Sequence, residues 1–493
     1  MTGIRLVHLY GLLAVSVTAW TGCGANRISA LDRLKPCTLE EGPAEGYCGS
    51  LEVYENRAAH SGRKIKLKIV VLPALRRKAL PDPLFALAGG PGQGAAKSAK
   101  FFQNGFQRLQ EERDIVLVDQ RGTGDSNPLN CEPADADQDD LSKLDRVPVE
   151  RFRKCLDKFQ ADPRFYTTTL AMDDLDDVRR YLGYGQINLW GGSYGTRAAL
   201  VYLKQHPDAV RTVILDGVAP PDMRLPLYVA RDSQRAFDLL AKACAEDKDC
   251  QSRFPDLGGK INAVLARLER EKPKVRITHP RTGERVEAPL TRQVAALVVF
   301  GALYSPQQSA LLPRIIEDAA AGDFQTLFAL ATSAEGAAGM MSEGMFLSVV
   351  CTEDMPRISR GEVLAETSGR FVGDAMFRLR MKPCEFWPKG DLPESFYQPV
   401  VSGKPVLILS GGLDPVTPPE WGEHVAKQLK NSRHIVVPAA GHGTSTLGCV
   451  PVLLKRFLNE ANGSRLDASC VSQIRRPPFF STRSGPLVFS PKP

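Results

Sequence analysis

At 493 residues with 43% hydrophobic content, the chain is long enough to bury a large core. Its formal charge of +7 is modest for that size, and its basic residues form no dense stripe with interleaved aromatics, which argues against a nucleic-acid partner. A weak preference for acidic surfaces is as much as that charge supports, and the length suits one α/β domain with a substantial insertion better than two unrelated domains.

At the N-terminus, Arg5 precedes an apolar stretch from Leu9 to Ala19, and no other charge follows until Arg27. Residues 1–22 therefore read as a secretory signal peptide. Trp20-Thr21-Gly22-Cys23 resembles a bacterial lipoprotein cleavage box and makes Cys23 a candidate lipid anchor, although Trp20 stands where an aliphatic residue is usual. The alternatives are ordinary cleavage nearby, or an uncleaved anchor in the uncharged run from Leu6 to Asn26. Each reading places the protein outside the cytoplasm, in the bacterial envelope or secreted. The cysteines agree: eleven minus Cys23 leave ten, an even number suited to disulfides in an oxidising compartment. Connectivity does not follow from sequence, so the nearest-neighbour pairs Cys37–Cys48, Cys131–Cys155, Cys244–Cys250, Cys351–Cys384 and Cys449–Cys470 rest on proximity alone. There is no Cys-x-x-Cys pair or His/Cys cluster to suggest zinc, and no metal or cofactor is expected.

Along the chain, Lys64–Leu72 alternates and then becomes fully apolar, the pattern of an early sheet strand. A second apolar run, Pro83 to Ala88, ends in Gly89-Gly90-Pro91-Gly92. Glycines there let backbone approach a substrate oxygen, and the N–H of Gly90 is a candidate oxyanion donor. A phosphate loop is the poorer reading, because the Gly-Lys-Ser/Thr ending and the Gly-x-Gly-x-x-Gly spacing are both missing. Asp114–Asp119 is another parallel-type strand and leads into Gln120-Arg121-Gly122, where Arg121 is read as bracing the loops rather than binding a substrate carboxylate. Asp135 to Asp145 reads as a solvated acidic loop. Leu170 to Leu182 reads as an amphipathic helix. Its Asp173-Asp174-Leu175-Asp176-Asp177 run lacks the glycine and terminal glutamate of a calcium loop, and is taken as an acidic N-terminal helix face.

The short run Ile187-Asn188-Leu189-Trp190 is followed by Gly191-Gly192-Ser193-Tyr194-Gly195 and then by a helix-like stretch, Thr196 to Leu203. Strand, Gly-x-Ser-x-Gly, helix is the context of a nucleophile elbow, in which the serine sits on a sharp turn and flanking glycines allow close passage. Ser193 is the candidate nucleophile, and the N–H of Tyr194, directly after it, is the second candidate oxyanion donor. A serine hydroxyl needs a base, and the base needs an orienting acid. The apolar run Val406–Leu409 exits through a loop carrying Asp414, and the strand His434–Val437 exits through Gly441-His442-Gly443. His442 is one of only seven histidines, and a Gly-His-Gly loop has little packing reason to hold one. Asp216, at the end of the strand Val213–Leu215, is the rival acid. Asp414 is preferred, because its loop lies one helix before the histidine strand.

Gly89-Gly90-Pro91-Gly92, Asp119-Gln120-Arg121-Gly122-Thr123-Gly124-Asp125-Ser126, Gly191-Gly192-Ser193-Tyr194-Gly195-Thr196 and the Asp414 and His442 loops follow one another in the expected order. From roughly Leu51 to Cys470 the chain resembles the proline iminopeptidase and tripeptidyl aminopeptidase family of serine peptidases. The resemblance implies an α/β-hydrolase fold, with a mostly parallel central sheet and a large helical cap insertion. It also implies a peptide substrate. Ala88 stands where many proline iminopeptidases have a histidine, which favours the larger secreted, tripeptidyl-aminopeptidase-like branch.

The expected organisation is a core over 50–220 and 396–475, a helical cap over 221–395 and a tail over 476–493, either a strap or a loose end. Helical patterns within the cap cover Tyr228–Ala245, Ile261–Lys272, Arg292–Tyr304 and Gln307–Ala321. An aminopeptidase must hold a free α-ammonium group, and the resemblance makes Glu353, with Asp354 as second choice, the candidate substrate-binding carboxylate. A helix-end salt bridge is the competing explanation. The resulting expectation is an exported serine exopeptidase cutting near a free N-terminus, by prolyl or tripeptidyl release, through an acyl-enzyme. The alternative is an ester or amide hydrolase with the same triad. Intact Ser193, Asp414 and His442 argue against a non-catalytic envelope binding protein.

Overall fold

The apolar runs assemble into one nine-stranded sheet. In chain order the strands are β1 (Lys35–Thr38), β2 (Glu45–Tyr54), β3 (Lys64–Leu72), β4 (Leu84–Leu87), β5 (Ile115–Val118), β6 (Ile187–Gly192) and β7 (Val210–Asp216), then β8 (Lys274–Thr278) and β9 (Arg285–Pro289), and finally β10 (Val406–Gly411) and β11 (Ser432–Val437). The sheet runs β1-β2-β3-β5-β4-β6-β7-β10-β11, while β8 and β9 form a separate hairpin. Pairing is antiparallel from β1 to β5 and parallel from β5 to β11. This computed structural model describes residues 30–39, 45–131, 149–278, 283–338, 341–482 and 485. The signal-peptide reading, Cys23, the Asp135–Asp145 stretch and the end of the tail lie outside the described residues.

The parallel strands are apolar throughout because both of their faces are covered. Every residue of β4, β5 and β10 is buried. On one face the helices Thr168–Tyr181 and Tyr194–Gln205 contribute Met172, Leu175, Val178, Leu200 and Leu203 to the core. The other face is covered by Ala99–Gly105 and Val450–Glu460, through Phe102, Leu453, Leu454 and Phe457. From β4 the chain passes to β5 on one side, while β6 lies on the other. The carboxyl ends of β4 and β6 therefore flank a topological switch point, where sheets of this kind place their sites.

The sheet begins earlier than the expected core start at residue 50. β1 and β2 precede it, tied by Cys37–Cys48, and polar and glycine residues in β2 obscure its alternation. Between β7 and β10 the insertion builds its own core around Phe237, Leu268, Val299, Leu312 and Phe328. Its helices Val229–Glu246, Leu257–Glu271 and Arg292–Leu303 match the expected patterns closely. The pattern read over Gln307–Ala321 divides into Pro306–Ser309 and Leu312–Ala320, with a proline at the first or second position of each. The β8–β9 hairpin is an addition to the helical reading. Five disulfides join the ten cysteines in the nearest-neighbour pairs. The described part of the tail is a strap: Phe479 enters the insertion's core and the N–H of Phe480 donates to Ala310. Among the described residues no helix is long and apolar enough to cross a membrane.

Candidate active site

Ser193 sits between β6 and the helix Tyr194–Gln205 with φ 55° and ψ −125°, a conformation that costs a non-glycine residue energy. The surrounding glycines make that turn possible. A Cβ on Gly191 would collide with the carbonyl oxygen of Gly195, and one on Gly195 with that of Leu87. The turn is fixed from both sides, since the Ser193 N–H donates to the Asp216 carbonyl at 2.9 Å and the Thr196 hydroxyl donates to the Ser193 carbonyl at 2.6 Å. Tyr194 opens a twelve-residue helix, so its N–H belongs to the positive end of that helix dipole.

The glycine loop after β4 rests on the nucleophile. A Cβ on Gly89 would lie 3.1 Å from the Ser193 Cβ, and Gly90 has φ +109°. Asp119, fully buried, ties this region together by accepting the N–H groups of Ala96 at 2.8 Å and Asp125 at 2.9 Å. Burial pushes its carboxyl above the usual range, and those donors oppose the shift. The insertion grips the same loop, where Ser342 N–H donates to the Gly92 carbonyl at 2.9 Å.

His442 and Asp414 meet at 2.8 Å, Nδ1 to Oδ2. Asp414 is fully buried and also accepts Val416 N–H at 2.8 Å, Thr417 N–H at 2.9 Å and the Thr417 hydroxyl at 2.8 Å. Burial works against its charge, but His442 and these donors outweigh it and hold the carboxyl below the ordinary range. For His442, burial works against the imidazolium, and Asp414 outweighs it, with Asp216 adding to the effect. The imidazole is thereby held above the usual histidine value. Thr417 was not singled out from sequence. Its signal is its position three residues after the acid, where a hydroxyl can return to the carboxylate.

Asp216, the rival acid, bonds elsewhere. Its carboxylate accepts the N–H and hydroxyl of both Thr444 and Ser445 at 2.6–3.0 Å, fixing the loop just beyond the histidine. The next residue, Gly217, brings the two halves together: its chain neighbour holds Ser193 N–H, and a Cβ on it would lie 3.2 Å from His442 Cε1.

Glu353 and Asp354 do not present carboxylates to a ligand, which corrects the substrate-binding expectation. Both side chains are 0% exposed and all four oxygens are engaged. Glu353 accepts Thr168 N–H at 2.7 Å, the Thr168 hydroxyl at 2.9 Å and Arg197 at 3.3 Å. Asp354 takes Arg197 through two bonds of 3.0 Å and also accepts Leu225 N–H. Thr168 in turn bonds the Tyr194 hydroxyl at 2.6 Å, so the pair buttresses the residue after the nucleophile. The competing salt-bridge explanation describes what the fold does with these residues.

Arg121 is a brace. Completely buried, it forks onto Asp174 at 2.7 and 2.8 Å and donates to the carbonyls of Glu55 and Phe165. The acidic run is correspondingly not at the N-terminal end of its helix, which runs Thr168–Tyr181. Asp174 bonds Arg121 and Arg57, Asp176 bonds Arg179 and Tyr202, and Asp173 bonds His206, all well inside the helix.

A family model for the alpha/beta hydrolase fold matches residues 82–253, and one for TAP-like proteins matches 369–470. The chain is an α/β-hydrolase-fold serine hydrolase, and it is similar to tripeptidyl aminopeptidases and proline iminopeptidases. Between the two matches lies an uncovered stretch, 254–368, within the insertion. The chain is 28% identical to the serine protease Hip1 of Mycobacterium tuberculosis over 431 residues, covering 79% of this chain and 80% of that protein. Against the tripeptidyl aminopeptidase of Streptomyces lividans, identity is 25% over 469 residues, covering 86% and 83%. A proline iminopeptidase of Arabidopsis thaliana is 29% identical over 188 residues, covering 38% and 40%.

Proposed function

We propose that this α/β-hydrolase is an exported serine exopeptidase that cleaves peptide bonds near a free N-terminus through an acyl-enzyme. The observations that carry the reading are Ser193 on its strained elbow and a histidine whose Nδ1 lies 2.8 Å from a buried aspartate. Ser193 Oγ attacks the scissile carbonyl carbon while His442 takes its proton. The Gly90 and Tyr194 N–H groups receive the oxyanion. His442 then protonates the leaving amine, and a water activated by the same histidine hydrolyses the ester, restoring Ser193. Asp414 holds the histidine tautomer and favours the imidazolium. Five disulfides support an oxidising setting outside the cytoplasm. Cys23→Ser would release the protein from membranes if a lipid holds it there.

The closed state of Glu353 and Asp354 favours keeping a second reading, an ester or amide hydrolase with the same machinery. One experiment tests both: aminoacyl- and tripeptidyl-amides, with free and blocked amino termini, assayed beside short-chain esters. The exopeptidase reading expects cleavage of free-amine peptides and little of blocked ones. Preference for esters regardless of an amine would replace it. Ser193→Ala is expected to lower kcat by on the order of 10⁴-fold or more with the fold intact. Near wild-type turnover would end both readings.

A further inference from the structure

We propose that Tyr304, at the end of the insertion helix Arg292–Leu303, is a positioning residue for His442, so that the insertion completes the catalytic geometry. This rests on His442 serving as the base for Ser193. Tyr304 touches the histidine twice. Its carbonyl accepts the His442 N–H at 2.9 Å, and its ring meets the imidazole edge to face, at 74° with centroids 5.2 Å apart. The fit leaves no slack beneath it, because a Cβ on Gly441 would collide with the Tyr304 carbonyl oxygen and lie 3.2 Å from Pro306 Cδ. Residue 441 must be glycine for the histidine loop to pass under the tyrosine. Behind it, Phe300 packs against the Tyr304 ring at 5.3 Å and 79° and is itself 8% exposed in the insertion's core.

One more contact is what the imidazole needs. Asp414 fixes Nδ1, the Thr417 hydroxyl stands 3.1 Å from the same nitrogen, and Gly217 lies against Cε1. With those alone the ring can still tip about its Nδ1 end, carrying the far nitrogen out of place. An aromatic wall removes that freedom, and a displacement of this size is costly where a proton must pass along a fixed line. The titratable groups facing the imidazole are Asp414 from the β10 exit loop, Asp216 from β7 and the Tyr304 phenol from the insertion.

The test is the rate at which diisopropyl fluorophosphate labels Ser193, a reaction that needs the serine and its base but no peptide pocket. Tyr304→Leu is expected to slow labelling roughly 3- to 10-fold across the pH profile. Tyr304→Phe, which keeps the ring and the carbonyl, is expected to rescue it. For any amide the wild type cleaves, the leucine variant should lose kcat while KM stays nearly constant. Equal labelling rates in wild type and Tyr304→Leu overturn the proposal. So does a rise in KM with labelling unchanged, which would make Tyr304 a substrate contact. If the leucine variant fails to fold, judged by circular dichroism, Tyr304→Met carries the same comparison. A wild-type protein that does not label brings down the reading of Ser193 itself, a failure distinct from a labelled wild type with an indifferent Tyr304.

Discussion

Two of the places where the described residues bury carboxylates completely differ in the cation each is given. At the carboxyl end of the sheet, Asp414 faces His442, a partner whose charge comes and goes near neutral pH. At the end of the insertion helix Glu343–Glu353, Glu353 and Asp354 share Arg197, a partner that is always charged. Both sites satisfy their oxygens with backbone and hydroxyl donors. Only the first leaves a group that can accept and return a proton. Burial and a shared ion pair therefore do not by themselves mark a reactive site.

The sharpest way to break that comparison is to exchange the acids at the sheet's end. Asp414→Asn is expected to lower kcat by on the order of 10⁴-fold, because an amide stabilises the wrong histidine tautomer. Asp216→Asn should cost far less in rate, since that carboxylate bonds Thr444 and Ser445 rather than the imidazole ring. Steady-state kinetics on any cleaved substrate decides it, and the reverse ranking would move the acid to β7. The next effect belongs to the other site. Arg197→Met leaves two fully buried carboxylates without their cation and is expected to cost about 3–5 kcal/mol of stability at pH 8. Urea unfolding with disulfides intact measures it, and a loss under about 1 kcal/mol would mean that the arginine is not what makes this burial tolerable.

A smaller effect is a displaced pH limb. In the proposed mechanism the base is neutral His442, and Asp414 holds its pKa above the ordinary value. The rising limb of kcat/KM should therefore lie at higher pH than a free histidine gives. Asp414→Asn should move the residual activity's limb downward. An unmoved limb would separate the titration from this pair.

The contrast also explains what could be read before the structure. The turn at Gly191, Ser193 and Gly195 and the loops that bring Asp414 to His442 were legible because each sits where local backbone geometry leaves few choices: a turn too sharp for side chains, or a strand exit opening into a loop. The doubly buried strands were legible as apolar runs for the same local reason. Glu353 was misread because its partners, Thr168 and Arg197, are 185 and 156 residues away, and no local pattern distinguishes a buttress from a substrate anchor. The Asp173–Asp177 run failed likewise: its partner Arg121 lies on another loop, and an acidic N-terminal helix face and a buried ion pair look alike in one dimension. β2 was missed because glycine and polar residues interrupt its alternation, and the β8–β9 hairpin because an alternation of only five residues is short.

The least effect expected concerns Glu353, and it tests the second site from inside. Asp354 holds Arg197 through two bonds of 3.0 Å, whereas Glu353 has a single 3.3 Å contact and feels its neighbour's charge. Burial, only partly offset by Arg197 and Thr168, pushes the Glu353 carboxyl up to about 7. Arg197 gains from both acids, so one arginine serves two carboxylates and the glutamate is the less favoured. A carboxyl raised in the folded state binds its proton there between its ordinary value, about 4.3, and 7, while the unfolded chain has already released it. Its contribution is therefore fully present below the ordinary value and is lost as pH rises through 7. Glu353→Gln removes the titrating group while keeping its size. The variant is expected to match or fall below wild type at pH 5 and to gain relative to it by pH 8, as measured by urea midpoints with disulfides intact. A difference between the two proteins that does not change with pH would mean that Glu353 stays ionised throughout, and that Arg197 satisfies both carboxylates alike.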